Sequence, residues 1–128
     1  MEHQKHFSLN EAKELLFIVK PVLSKMMELK TKLDEKGYDI YAHRYFGGIG
    51  TNGTGKHPEE LDELVECYRK ISEYGIVIKG IDNGLIDFPH VRSNGEEVYL
   101  CYMYGETSIL FWHSLQDGFK GRRKIEEL

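Results

Sequence analysis

Residues 85–104 read LIDFPHVRSNGEEVYLCYMY, and they carry the strongest strand signal in the chain. Branched and aromatic residues on both sides of Asn94-Gly95 are typical of two antiparallel strands. An Asn-Gly pair favours a two-residue type I′ turn, because both central residues of that turn need a positive φ. Similar apolar segments occupy residues 76–78 and 108–113. The sequence therefore predicts three or four antiparallel strands within residues 76–113.

A long amphipathic helix is predicted before the strands, over residues 8–36. Ser8 and Glu11 have the spacing of a capping box, in which each side chain satisfies a free backbone N–H at the helix start. Pro21 removes one backbone hydrogen bond inside the helix, so we expect the helix to bend or restart there. Apolar residues recur every three or four positions and define one seam for a partner helix: Leu15, Val19, Val22, Met26, Leu29 and Leu33.

A second helix is predicted over residues 58–74. It opens with Pro58 and acidic residues, which suit the positive end of a helix dipole, and it ends before Gly75. Two successive amphipathic helices indicate an antiparallel hairpin.

The predicted fold is α+β: a kinked long helix and a shorter antiparallel helix packed on a three- or four-stranded antiparallel β-meander. We assign residues 1–128 to one domain, with a tail over residues 114–128.

Composition and charge limit the classes of function. The 128 residues carry 17 basic and 21 acidic side chains, a net charge of −4, which argues against binding to nucleic acid or to an anionic membrane. The N-terminus lacks a signal peptide pattern and no window is apolar enough to span a bilayer, so we expect a cytoplasmic protein.

Cys67 and Cys101 are expected to be reduced, and His3 and His6 to be solvated. No cofactor is predicted.

The connection over residues 37–57 contains six of the 13 glycines. Residues 50–56 read GTNGTGK, which fits the spacing of a phosphate-binding P-loop. His57 stands where that motif needs Ser or Thr, and the remainder of the chain lacks the βαβ pattern. We therefore expect a flexible loop rather than a nucleotide hydrolase. The loop residues retained as candidates for contact with an anion are Gly53, Gly55 and Lys56.

Four residues of the strand region carry the chemistry of metal ligands: Asp87, Cys101, Glu106 and His113. A two-residue turn at Asn94-Gly95 pairs Asp87 with Tyr102, so Asp87 and Cys101 point to opposite faces. A second two-residue turn, at Gly105-Glu106, then places His113 about 15 Å from Asp87. We therefore predict no metal site. A three-residue turn at residues 105–107 is the alternative, and it brings Cys101 and His113 to one face.

The same register makes both faces of the sheet apolar. The helical hairpin covers one face, and the other face needs a second cover because exposed apolar sheets are rare. A homodimer is the commonest arrangement that supplies one. The sequence therefore predicts self-association through the sheet or through the helix seam.

Several segments resemble the domain of unknown function 2203 family: residues 7–12 (FSLNEA), 84–89 (GLIDFP), 98–101 (VYLC), 105–106 (GE), 112–113 (WH) and 118–122 (GFKGR). Tyr102 stands where this family pattern has tryptophan. The resemblance implies a small, mostly bacterial or archaeal cytoplasmic protein with a helical N-terminal half and no established activity. It also implies a set of marked polar positions: Asp87, Cys101, Glu106, His113 and Arg122.

We interpret the chain as a non-enzymatic, self-associating interaction or regulatory module with an unidentified protein partner. In this interpretation Arg122 pairs with Asp87 or Glu106 and fixes the tail. The candidate polar network is Asp87, Glu106, His113 and Arg122. The alternative is a ligand-binding or metal-assisted enzyme with its site around the same four residues.

Overall fold

A computed structural model describes residues 1–42, 44–46 and 58–128 of the chain. Helix α1 spans Leu9–Glu35, against the predicted 8–36. It begins at the predicted capping box: the Ser8 hydroxyl accepts from the Glu11 N–H at 3.1 Å, and the Glu11 carboxylate accepts from the Ser8 N–H at 2.8 Å. The helix continues through Pro21 without a break and stops before Gly37, whose φ of 72° suits glycine.

Helix α2 spans Glu59–Glu73 and runs antiparallel to α1. Lys36 at the end of α1 pairs with Glu60 at the start of α2, with 2.8 Å between Nζ and Oε2. Ile18 and Tyr74 line one groove at the other end of the hairpin. Within the described residues, neither α-helix combines the length and hydrophobicity that a membrane span needs.

Five antiparallel strands form a meander after the helices, in the order in which they occur along the chain. They are β1 (Val77–Gly80), β2 (Leu85–Val91), β3 (Glu97–Met103), β4 (Phe111–Ser114) and β5 (Arg123–Lys124). The predicted α+β class is confirmed. The strand count exceeds the predicted three or four, because the backbone of residues 123–124 pairs with β4 in the segment predicted as a tail.

The loop between β2 and β3 is one residue longer than the predicted two-residue turn. The Arg92 N–H donates to the Glu96 carbonyl at 2.8 Å, which leaves residues 93–95 as the loop. Gly95 has a φ of 88°, the left-handed conformation that three-residue hairpin loops use at their last position. An Asn-Gly pair is compatible with both loop lengths, so the sequence alone did not separate them.

This extra residue changes which side chains share a face of the sheet. Asp87 pairs with Cys101, and His113 pairs with Tyr99. Each partner lies one position away from the predicted one. Because successive residues of a strand point to opposite faces, a one-residue shift exchanges the faces. The predicted placement of Asp87 and Cys101 on opposite faces is therefore wrong. The side chains of Asp87, Tyr99, Cys101 and His113 share one face.

The core lies between the helical hairpin and the other face of the sheet. The helices contribute buried apolar residues that include Leu16, Leu23, Met26, Leu64 and Ile71. The sheet contributes Ile86, Phe88, Val98, Leu100, Tyr102 and Trp112. The face away from the helices is mixed: it carries the buried residues Asp87, Tyr99, Cys101 and His113 beside apolar residues such as Leu85 and Phe111.

The connection between the helices contains local structure near its start. Within residues 37–57, Ile40–Ala42 and Arg44–Phe46 form short 3₁₀ turns. The ring of Phe46 packs edge-on against Tyr68 of α2, with 5.3 Å between the ring centroids. The candidate anion-contact residues lie outside the described residues: Gly53, Gly55 and Lys56.

Candidate metal centre

Three side chains with metal-ligand chemistry converge on the face of the sheet away from the helices. Asp87, Cys101 and His113 come from the neighbouring strands β2, β3 and β4. One donor atom of each residue lies within 4.8 Å of the other two. Nε2 of His113 is 3.1 Å from both carboxylate oxygens of Asp87. The predicted separation of about 15 Å is wrong, because both hairpin registers differ from the predicted ones.

The size of Cys101 allows this convergence. Strands β2 and β4 are separated by β3, so their backbones lie about 9–10 Å apart. Asp87 and His113 meet above β3, where the small thiol of Cys101 leaves room between them. All three residues are buried, with at most 2% of their surface exposed. A buried group of polar side chains at this position requires partners for each of its donor and acceptor atoms.

The ring of His113 is held so that Nε2 faces the other two ligand candidates. Nδ1 lies 2.7 Å from the Ser114 carbonyl oxygen, and because a carbonyl only accepts, Nδ1 carries a proton and donates. Burial lowers the pKa of His113, but the hydrogen bond to Asp87 and the negative charge of Asp87 outweigh burial and raise it. Because an ionised carboxylate also only accepts, the contact between Nε2 and Asp87 requires a proton on Nε2 when no ion is bound. Imidazoles that bind metals commonly donate their second N–H to a backbone carbonyl in the same way.

The thiol of Cys101 is neutral in the absence of an ion. Burial raises its pKa well above the usual range, and the negative charge of Asp87 raises it further. Such a thiol is a poor nucleophile, since the thiolate is the reactive form. A coordinated metal ion is the agent that deprotonates a thiol in such surroundings.

Lys79 and Tyr99 lie over the cluster. Lys79 Nζ is 3.8 Å from Oδ2 of Asp87 and 4.6 Å from the centroid of the Tyr99 ring. The Tyr99 ring lies against the His113 ring, with 5.4 Å between centroids. The Tyr99 hydroxyl lies 2.5 Å from Nε2 of His3, and burial raises the pKa of Tyr99. These contacts separate the cluster from solvent within a single chain.

Sequence reasoning missed Lys79 and Tyr99. The side chain of Lys79 is 37% exposed, so a lysine at this position of a short strand needs no buried partner and gave no signal. No signal marks Tyr99 either, since it is one of eight tyrosines. Its position over the cluster follows from the register alone.

Arg122 holds the C-terminal segment against the same face through Glu106. Its Nη2 donates to both carboxylate oxygens of Glu106 at 2.7 Å. The guanidinium lies between two aromatic rings, 4.0 Å from the centroid of Phe111 and 4.7 Å from that of Phe119. Glu106 also accepts from the backbone N–H of Met103 at 2.6 Å. This pair fixes residues after β4 beside the cluster.

The four residues predicted as one polar network thus form two pairs in the described part of the chain. Asp87 pairs with His113, and Glu106 pairs with Arg122. The second pair lies next to Cys101, because the guanidinium of Arg122 covers the ring of Phe111, which pairs with Cys101 across β3 and β4.

Glu97 holds the N-terminal segment over the end of this face. Its carboxylate accepts from the backbone N–H of Glu2 at 2.8 Å and of His3 at 3.0 Å. Nε2 of His6 lies 2.6 Å from the same carboxylate. The expectation that His3 and His6 are solvated was wrong, since His3 contacts Tyr99 and His6 contacts Glu97.

Acidification is expected to release this N-terminal contact. The hydrogen bond with His6 holds the pKa of Glu97 at about 2, below the ordinary 4.5; burial opposes this shift, and the N–H groups of His3 and Glu2 add to it. Because the folded pKa is the lower one, the contact stabilises the fold fully above pH 4.5 and is lost as the pH falls toward 2.

We expect Glu97→Gln to lower the free energy of unfolding near neutral pH. The difference from the wild type should shrink as the pH falls through this window, because the wild-type carboxylate becomes protonated. Urea unfolding of both proteins at several pH values measures it. A difference that does not change with pH would contradict the assigned role of the Glu97 charge.

The fold and this site define a small α+β protein, in which a helical hairpin backs a five-stranded meander that carries a buried aspartate–cysteine–histidine cluster on its other face. The chain belongs to the family described as "Uncharacterized conserved protein (DUF2203)", whose family model matches residues 5–125. This match confirms the resemblance found in the sequence. No curated protein and no solved structure shows significant similarity to the chain.

Proposed function

We propose that this protein binds a divalent transition-metal ion at Asp87, Cys101 and His113. The observation that supports the proposal is the convergence of three different donor atoms, each within 4.8 Å of the others. Ligand atoms around a tetrahedral zinc ion lie about 3.3–3.8 Å apart, given bonds of about 2.0–2.3 Å. The 3.1 Å between His113 and Asp87 is close to this spacing, so small side-chain movements suffice to seat an ion.

The kinds of donor select the kind of ion. A thiolate and an imidazole favour zinc and similar transition metals, whereas magnesium and calcium prefer oxygen ligands alone. Three protein donors are the number found in zinc sites that keep one position for water or another small ligand. We therefore propose an ion of the zinc class with its fourth position taken by a small ligand, in accordance with the metal-assisted alternative derived from the sequence.

Charge balance supports binding at this buried position. A carboxylate from Asp87 and a thiolate from Cys101 together neutralise a divalent ion, so the centre adds no net charge to a low-dielectric environment. The ion takes the place of the proton on Nε2 of His113 and of the proton on Cys101. Lys79 remains beside Asp87 as a partner for the carboxylate oxygen that faces it.

Metal analysis of protein purified without an affinity tag tests the proposal, with one zinc ion per chain as the expected result. After the metal is removed with a chelator, Co²⁺ is expected to bind at the same site. The cobalt-loaded protein should then show sulfur-to-cobalt charge-transfer absorption. Zn²⁺ should stabilise the metal-free protein by about 2.7 kcal/mol when the free ion is at about a hundred times its Kd.

The second cysteine provides a matched control. Cys101→Ser is expected to abolish the charge-transfer absorption, whereas Cys67→Ser, which changes the buried cysteine of α2, should retain it. A double variant, His3→Gln and His6→Gln, tests whether the N-terminal histidines bind the ion instead. It should retain the absorption, because the proposed site does not include these two residues. Absence of stoichiometric metal together with absence of the absorption at excess Co²⁺ would overturn the proposal.

We also propose that the protein self-associates, although not through the sheet. The sheet face that was expected to need a second subunit is covered within one chain, since Tyr99, Cys101 and His113 are buried there. The observation that favours self-association is instead the exposure of Phe17 and Ile18 on α1. Sedimentation at low micromolar concentration tests this proposal, and a monomer throughout would refute it.

A further inference from the structure

The geometry points to the outer surface of α1 as the contact between two copies of this chain, an inference that rests on the proposed self-association. We call this surface the α1 stripe and define it by five residues: Glu14, Phe17, Ile18, Pro21 and Lys25. Phe17 is 78% exposed, the highest value for a large apolar side chain among the described residues, and Ile18 is 60% exposed. Adjacent exposed apolar residues on a helix are typical of a protein contact surface.

The stripe is continuous along the helix. Glu14, Ile18, Pro21 and Lys25 follow one another at spacings of four, three and four, so they lie on one side of α1, opposite the residues that pack in the core, and Phe17 lies beside Ile18. From Glu14 to Lys25 the stripe extends over about 16 Å, three turns of helix. Its ends are charged and its middle is apolar.

A groove between α1 and α2 adjoins the stripe. It has a volume of about 310 Å³, and its lining includes Ile18, Val22, Ile71 and Tyr74. Lys70 and Glu73 stand at its edge with opposite charges. A second helix packed along the stripe has room to place apolar side chains beside this groove, which increases the apolar area that the contact removes from water.

The order of residues in the stripe favours a second copy over an unrelated partner. Counted from Glu14, the spacings to Ile18, Pro21 and Lys25 are four, three and four, which is the same sequence of spacings in both directions. Two copies in antiparallel orientation therefore place Ile18 level with the partner's Pro21.

The same alignment places Glu14 level with the partner's Lys25, and Lys25 level with the partner's Glu14. Two opposite-charge pairs thus close the ends of the apolar contact. A parallel arrangement would oppose like charges instead. Lys25 also lies 3.9 Å from Glu63 of α2, but both side chains are more than half exposed, and such a pair holds its lysine weakly.

Sedimentation velocity of the full-length protein and its variants tests the inference. Phe17→Gln is expected to raise the Kd of the dimer about tenfold or more, because it removes the largest apolar side chain from the contact. Leu110→Gln is the matched control, since Leu110 is also exposed but lies between β3 and β4, away from the stripe. It should leave the Kd unchanged.

Charge exchange tests the antiparallel alignment. Glu14→Lys and Lys25→Glu are each expected to weaken the dimer, since each creates two like-charge contacts, and the double variant should restore it. These positions are exposed, so circular dichroism should show unchanged folding.

The outcomes separate the two proposals. A monomeric wild type refutes self-association and the stripe together. A wild-type dimer that withstands Phe17→Gln overturns the stripe alone. A dimer that is weakened by Phe17→Gln but not restored by the double charge exchange overturns the antiparallel alignment.

Discussion

Replacement of His113 by alanine is expected to destabilise the metal-free protein by about 3–5 kcal/mol, the range observed when one partner of a buried ion pair is removed. Asp87 is 1% exposed and lies 3.1 Å from Nε2 of His113. Without the imidazole, its carboxylate keeps weaker partners, a hydrogen bond with the Cys101 thiol and the amine of Lys79 at 3.8 Å. The cost of His113→Ala is therefore mainly that of a poorly compensated buried charge, with a smaller contribution from the cavity.

A second substitution separates the charge from the cavity. Asp87→Asn in the His113→Ala background removes the stranded charge but leaves the cavity, so the double variant is expected to be more stable than His113→Ala alone. Urea unfolding in the presence of a chelator measures all three free energies of unfolding. If Asp87→Asn gives no recovery, the pair between Asp87 and His113 does not carry the stability that its burial implies.

Local signals in the sequence predicted the helices well. The capping box at Ser8 and Glu11 fixes the start of α1, and the seam of apolar residues continues to its last turn. These signals act between residues three or four positions apart, so a short window contains all the necessary information. Strand location was similarly readable from branched and aromatic residues. The fifth strand was missed because two residues, Arg123–Lys124, carry no strand pattern of their own.

Register was the step at which sequence reasoning failed. Asn94-Gly95 is compatible with two-residue and three-residue loops, and the difference of one residue exchanges the two faces of the next strand. The sequence analysis identified Asp87, Cys101 and His113 as residues with ligand chemistry, but their convergence depends on two loops that each differ from the predicted length. The packing of Leu100 and Tyr102 against the helices selects the observed register, and that selection needs the tertiary structure.

Gly84→Ala is expected to destabilise the protein by about 2–5 kcal/mol, for two separable reasons. Gly84 has a φ of 64°, a left-handed conformation that costs a residue with a Cβ atom about 1–2 kcal/mol. An added Cβ would also lie 2.6 Å from Cβ of Tyr104 and 2.7 Å from Sδ of Met27, and overpacking of this kind costs about 1–3 kcal/mol more.

Gly37 provides a matched control for the conformational part of this cost. It follows the last turn of α1 with a φ of 72°, close to that of Gly84, but a Cβ atom there would meet nothing within 4 Å. Gly37→Ala is therefore expected to cost only about 1–2 kcal/mol. The difference between the two variants, measured by urea unfolding, reports the contact of α1 with the turn before β2, because Met27 belongs to α1. Equal losses would show that α1 moves away from this turn at little cost, and that the helical hairpin is not firmly seated at this end of the sheet.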